Sequence, residues 1–169
     1  DVRETNATFF VSATVEGLAY GFRVGKPAGK VKAKWPWKGF MALVGEDSKT
    51  RRALRAAMKQ YEMSLDVWVE ETSYGQVAQV TVEDRGFLWQ QITADQETTR
   101  KMTWPKLAEY LQEVAPKRRC DIYLTKRLPP GEATKAHGSI AIQIVTLFEA
   151  LMVAYEGKAR DVPMQVGGL

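Results

Sequence analysis

Residues Ser64 to Thr93 read SLDVWVEETSYGQVAQVTVEDRGFLWQQIT. Successive side chains of a strand point to opposite faces, so alternation of apolar and polar residues marks a half-buried strand. From Ser64 to Thr72, Leu65, Val67 and Val69 fall on one side, and Asp66, Trp68 and Glu70 on the other. Tyr74-Gly75 reads as a turn, Val77 to Glu83 as the next strand, Glu83-Asp84-Arg85-Gly86 as a second turn, and Phe87 to Thr93 as a third strand. Three short strands joined by tight turns form a meander, which commits the chain to an antiparallel sheet.

Moving toward the N-terminus, Thr8–Val15 and Leu18–Val24 make a hairpin about Glu16-Gly17, and residues 25–29 are loop-like in composition. Lys30–Phe40, KVKAKWPWKGF, alternates. Read as a strand, it sets Lys30, Lys32, Lys34 and Lys38 on one face and Val31, Ala33, Trp35 and Trp37 on the other, with Phe40–Val44 continuing or restarting it after Gly39. Pro36 lacks an N–H and belongs on an edge or at a bulge. Between Glu16 and Glu46 stand Arg23, Lys26, Lys30, Lys32, Lys34 and Lys38 without one acid, whereas the whole chain is only +4, so the remainder is net negative. Such a local positive field suits a polyanion; lysines and a proline on an edge strand also prevent edge-to-edge aggregation. A helix capped by Asp47 or Ser48 runs to Tyr61, with Leu54, Ala57, Met58 and Tyr61 at core-facing spacing. Arg51, Arg52, Arg55 and Lys59 flank that stripe without the acidic i,i+4 partners of an ordinary solvated helix. The lysines and this helix are expected to merge into one positive surface.

Toward the C-terminus, Ala94–Met102 is polar and reads as a loop, into which the preceding strand could extend, and Thr103 caps a helix with Pro105 in its first turn, ended by Pro116. Lys117-Arg118-Arg119 leads into a strand at Cys120–Lys126, Leu128–Gly138 is a loop, and Ser139–Glu156 is the most apolar helix. A helix apolar almost all round is buried, either in the core or against another subunit. The expected fold is α+β: a largely antiparallel sheet of about seven to eight strands with three helices. Residues 1–116 form two strands-plus-helix units, and residues 117–169 a strand-helix extension on the same core.

The length of 169 residues and an apolar content of 45% describe a chain that can bury a core. One cysteine, Cys120, forms no internal disulfide and fits a reducing intracellular compartment, an organelle included. The chain begins at Asp1, as a processed one would, so a targeting segment would not be visible. No stretch is apolar enough to suggest a membrane span. One histidine, His137, and one cysteine fill neither a catalytic triad nor a thiolate-imidazole zinc site. Gly25-Lys26-Pro27-Ala28-Gly29-Lys30 lacks two requirements of a phosphate-binding loop, a glycine at Val24 and a hydroxyl at Val31. The acidic pairs Glu70-Glu71 and Glu83-Asp84 are the residues a metal-dependent nuclease would use, the least favoured reading. Three cations before Cys120 would favour its thiolate, but a part-buried structural thiol is the plainer expectation. No cofactor is expected.

Two successive sheet-plus-helix units, over about 8–61 and 64–115, resemble the topology of the Whirly and PUR-type single-strand nucleic-acid-binding proteins, kinetoplastid mitochondrial guide-RNA-binding proteins among them. Trp37-Lys38-Gly39-Phe40 stands near where a K-G-K-A sequence would lie in that pattern, and the strand and helix after Lys117 depart from it. No site residue is carried over from the resemblance.

The residues themselves lead to a non-enzymatic protein that binds single-stranded RNA or DNA mainly through phosphates. The contacts would come from Arg23, Lys26, Lys30, Lys32, Lys34, Lys38, Arg51, Arg52, Arg55 and Lys59. Engaging about five phosphates gives a log K against log salt slope of about −3.5. The alternative is an assembly subunit, a homo- or hetero-oligomer joined through the 139–156 helix.

Overall fold

The computed structural model describes residues 7–29, 36–45, 48–70, 73–83, 86–92, 97–114, 117–136 and 138–156. In chain order the strands are β1 (Ala7–Thr14), β2 (Gly17–Lys26), β3 (Ser64–Glu70), β4 (Tyr74–Glu83), β5 (Gly86–Ile92), β6 (Glu97–Met102) and β7 (Cys120–Leu128). The helices are α1 (Pro36–Gly45), α2 (Lys49–Gln60), α3 (Trp104–Val114), α4 (Pro130–Lys135) and α5 (Ile140–Glu156). The seven strands form one sheet in the order β1-β2-β7-β3-β4-β5-β6, with every neighbouring pair antiparallel. The α+β class and the antiparallel sheet agree with the sequence reading. The late strand β7 lies between β2 and β3, so the C-terminal segment supplies the middle of the sheet.

The described residues hold five helices rather than the three expected. The first extra one overturns the strand reading of residues 36–44. Trp37, Phe40 and Val44 recur at helical spacing and are buried, and Pro36 occupies the first helical position, where its missing N–H costs nothing. The second is α4, again opened by a proline, inside the stretch read as a loop. β6 also replaces an expected loop: only Met102 among its core-side residues is apolar, so an edge strand carried little hydrophobic signal. The α2 cap is as expected, with Ser48 Oγ accepting from the Arg51 N–H at 3.1 Å.

One face of the sheet carries the core. Phe22, Val24, Leu65, Val67, Val80, Trp89, Ile122 and Leu124 are buried there under the helices. Ring contacts tie the layers together: Phe87 to Trp104 of α3 at 4.3 Å, Trp89 to Tyr110 of α3 at 4.7 Å, and Phe9 to Phe148 of α5 at 4.7 Å. The α5 helix is one-sided rather than buried all round. Leu147, Leu151, Val153 and Ala154 enter the core, while Ile142 and Val145 are 69% and 55% exposed. No helix among the described residues is long and apolar enough to cross a membrane.

Candidate nucleic-acid interface

Among the described residues no long helix lies on the opposite face of the sheet, and that face is built by strand parity. On β7, Ile122 and Leu124 point to the core, so Asp121, Tyr123, Thr125 and Arg127 point outward. Register carries the same parity across to Arg23 of β2 opposite Tyr123, Asp66 of β3 opposite Tyr123, and Phe10 of β1 opposite Gly21.

Tyr74 reaches this face through a bulge. The β3–β4 register shifts between Val67 and Trp68, so Val67 faces Ala78 but Trp68 faces Gln76. One extra residue in a strand inverts the facing of everything beyond it. Tyr74 and Gln76 therefore share the outward face with Gln79 and Thr81, although their parity differs. The sequence trace of the bulge is the adjacent apolar pair Val77-Ala78, which breaks the alternation.

The result is a run of rings across four strands. Phe10 meets Tyr123 edge-on at 5.6 Å, Tyr123 meets Trp68 at 6.2 Å, and Trp68 stacks on Tyr74 at 5.5 Å with planes 27° apart. Arginines lie over two of these rings: Arg23 is 5.8 Å from the Tyr123 centroid and Arg119 is 4.9 Å from that of Tyr74. Such distances are those of a cation–π contact. Beneath them sits Asp121, 0% exposed. Its Oδ1 accepts from Arg23 Nη2 at 2.6 Å, and its Oδ2 from the Tyr74 hydroxyl at 2.7 Å and Arg119 Nε at 3.2 Å. Gly25 stands directly opposite Asp121, and a Cβ there would run into this carboxylate. Burial, then the hydroxyl contacts with Tyr123 and Asp121, hold the Tyr74 phenol well above its ordinary value, so it stays a donor.

A second buried carboxylate repeats the pattern. Asp66 accepts from Arg127 Nη2 at 2.6 Å and from Gln79 Nε2 at 3.0 Å, while Arg127 Nη1 donates to Ser64 Oγ at 2.7 Å. Asp121 thus receives two guanidiniums and one hydroxyl.

The residues expected to form one basic track are divided between layers. Arg23 is on the outward sheet face. Lys26 is on the inward one and 0% exposed, so it is no phosphate ligand. Its ammonium donates to the Gly29 carbonyl at 3.4 Å, and burial holds its pKa below the ordinary value, with Cys120 pulling the other way. Lys38 is exposed on α1, not on a strand. Lys30, Lys32 and Lys34 lie outside the described residues, as do Trp35 and His137. On α2, Arg52 and Lys59 are exposed, whereas Arg51 and Arg55 lie against core rings, 6.0 Å from those of Trp104 and Phe87, and Arg55 Nη2 donates to the Glu83 carbonyl at 3.1 Å. Arg23 and α2 thus sit on opposite sides of the sheet. Of the outward residues it is Arg127, not Arg23, that comes near α2: Arg127 and Lys59 line a common cleft of about 350 Å³.

Three of the tryptophans, Trp37, Trp89 and Trp104, fill the core, and Trp68 is half-buried on the outward face. Glu70 and Glu83 fall at opposite ends of β4, the first opposite Tyr74 and the second opposite Gly86, about 30 Å apart along the strand. They do not form a two-carboxylate site; Glu71 and Asp84 lie outside the described residues.

No protein-family model, curated protein or solved structure matches this chain.

Cys120 is fully buried on the core face. Burial, and next the Asp121 carboxylate, push its thiol up to about 12, against a smaller lowering by Lys26. The preceding cations do not activate it, because the strand turns it inward. The native protein is therefore expected to leave an aromatic disulfide reagent at pH 8 unreacted, and to titrate one thiol once unfolded in urea. Rapid native reaction would contradict this placement.

Proposed function

We propose that this protein binds single-stranded nucleic acid, without turning it over, on the outward face of the sheet. The observation that carries the reading is the Phe10–Tyr123–Trp68–Tyr74 run of rings with Arg23 and Arg119 laid over it. Every base has a π face, so rings and guanidinium planes hold a strand with little regard to sequence, while arginines meet phosphates. Duplexes hide those π faces in the stack, so single strands are preferred. Between the rings and the far edge, Gln76, Gln79, Thr81 and Gln90 stand outward beside Leu88 and Ile92, and these four are uncharged hydrogen-bonding groups suited to base edges and sugars.

This reading moves the contact from a mainly electrostatic track to a mainly stacked one, and the two differ in salt response. Arg23, Arg119 and Arg127 engaging about three phosphates give a slope of about −2. An anisotropy titration with labelled single- and double-stranded probes at two salt concentrations is the test. A slope near −2 with single-strand preference and quenching of tryptophan emission is expected. Absence of binding, or equal affinity for duplex, defeats the proposal; a slope near −3.5 returns the contact to the lysines and α2.

A second reading, an assembly subunit, draws on the exposed Ile142 and Val145 of α5. Sedimentation with and without oligonucleotide separates it from the first.

A further inference from the structure

The two edges of the sheet are built in opposite ways. The edge strand β6, ETTRKM, carries Glu97, Arg100 and Lys101 in six residues. Charges of this kind keep a strand edge from recruiting another. The edge strand β1, ATFFVSAT, is eight residues long with no charge, proline or glycine. It bonds β2 on one side, and among the described residues no strand pairs with its other side. Every second residue of β1 therefore turns its N–H and C=O away from the sheet. Apolar groups stand beside that edge on the helix side: Val11 is 52% exposed and Tyr155 51%, with the Tyr155 ring 5.9 Å from Phe9.

We propose that β1 pairs antiparallel with β1 of a second copy, joining two seven-stranded sheets into one. The chemistry of the strand selects this occupant. An uncharged strand facing its own copy brings no like charges together, and its β-branched and aromatic residues suit cross-strand pairing. Symmetry then dictates the geometry. Two identical antiparallel neighbours are related by a two-fold axis normal to the sheet, which sets same-facing residues opposite each other. Both helix layers lie on one side of the joined sheet and both outward faces on the other. The ring-and-arginine faces become one continuous platform, a consequence that rests on the proposed function, whereas the dimer itself does not. One strand pair with its flanking side chains is a small interface, so the dimer is concentration-dependent.

Sedimentation velocity without nucleic acid, from about 1 to about 100 µM, tests the pairing. The wild-type chain is expected to pass from monomer to dimer. Val11→Lys and Val11→Glu, which place like charges near the axis, each remain monomeric alone and form a dimer when mixed in equal amounts. A wild-type chain that stays monomeric across the range overturns the proposal, as does a dimer indifferent to both substitutions. Amide exchange on the wild-type chain gives a second measurement that needs no variant: alternate β1 amides gain protection with concentration while β6 amides do not. Equal protection at both concentrations also overturns it. Loss of oligonucleotide binding with the dimer intact would strike only the proposed function.

Discussion

Trp68→Ala is expected to weaken single-strand binding by about ten- to a hundredfold, in line with about 1–3 kcal/mol for a base stacked on an aromatic ring. Trp68 is central to the ring run, touching both Tyr74 and Tyr123, so its loss removes one stacking surface and the support of a second. It is half-buried on the outward face and outside the buried core cluster, so the fold should tolerate the change better than truncation of Trp89, which is 0% exposed. Trp68→Phe keeps a ring and should recover most of the affinity. Anisotropy titrations of the three proteins, with urea midpoints recorded alongside, decide the matter. If Trp68→Ala binds as the wild type does, the rings are not the contact surface.

The second large effect concerns stability. Asp121→Ala removes the carboxylate that receives Arg23, Arg119 and the Tyr74 hydroxyl. Breaking a buried ion pair from one side strands the other charge and costs about 3–5 kcal/mol. Because the Arg23 and Arg119 side chains are 15% and 30% exposed and can turn partly to water, about 3 kcal/mol is expected. Asp66→Ala should cost less, since the Arg127 side chain is 49% exposed. Urea unfolding of the two variants measures both. The Asp121 variant should also lose oligonucleotide affinity at concentrations where it is folded, because the two guanidiniums are no longer held over the rings. An unfolding midpoint equal to wild type would show that the carboxylate is not what orders the cluster.

Both residues could be placed partway from the sequence. The alternation in β3 put Asp66 and Trp68 together, away from Leu65, Val67 and Val69, and the structure keeps that division. Asp121 and Tyr123 alternate with Cys120, Ile122 and Leu124 in the same manner. Tyr74 escaped because the bulge beyond Val77 reverses its facing, and a turn residue and a strand residue look alike at a Tyr-Gly pair. Lysines 30, 32, 34 and 38 drew the site elsewhere. Their even spacing, two, two and four, mimics a strand, and it hid the helical stripe of Trp37, Phe40 and Val44 that begins inside the same stretch. Where a lysine points depends on which period the backbone adopts, and a short window that satisfies both periods does not settle it.

Local patterning determined the strands of the meander, the capped helix α2, the proline-opened α3 and the facing of residues within a strand, because these depend on neighbours two to four positions away. Only the tertiary structure decided that β7 enters between β2 and β3, bringing Asp121 under Arg23 and beside Tyr74 and Trp68. It also decided that Lys26 is buried while Arg23, three residues earlier on the same strand, faces outward. Pairing between strands distant in sequence is set by the total fit of buried surface, not by any segment alone, and the candidate site exists only once that pairing has formed.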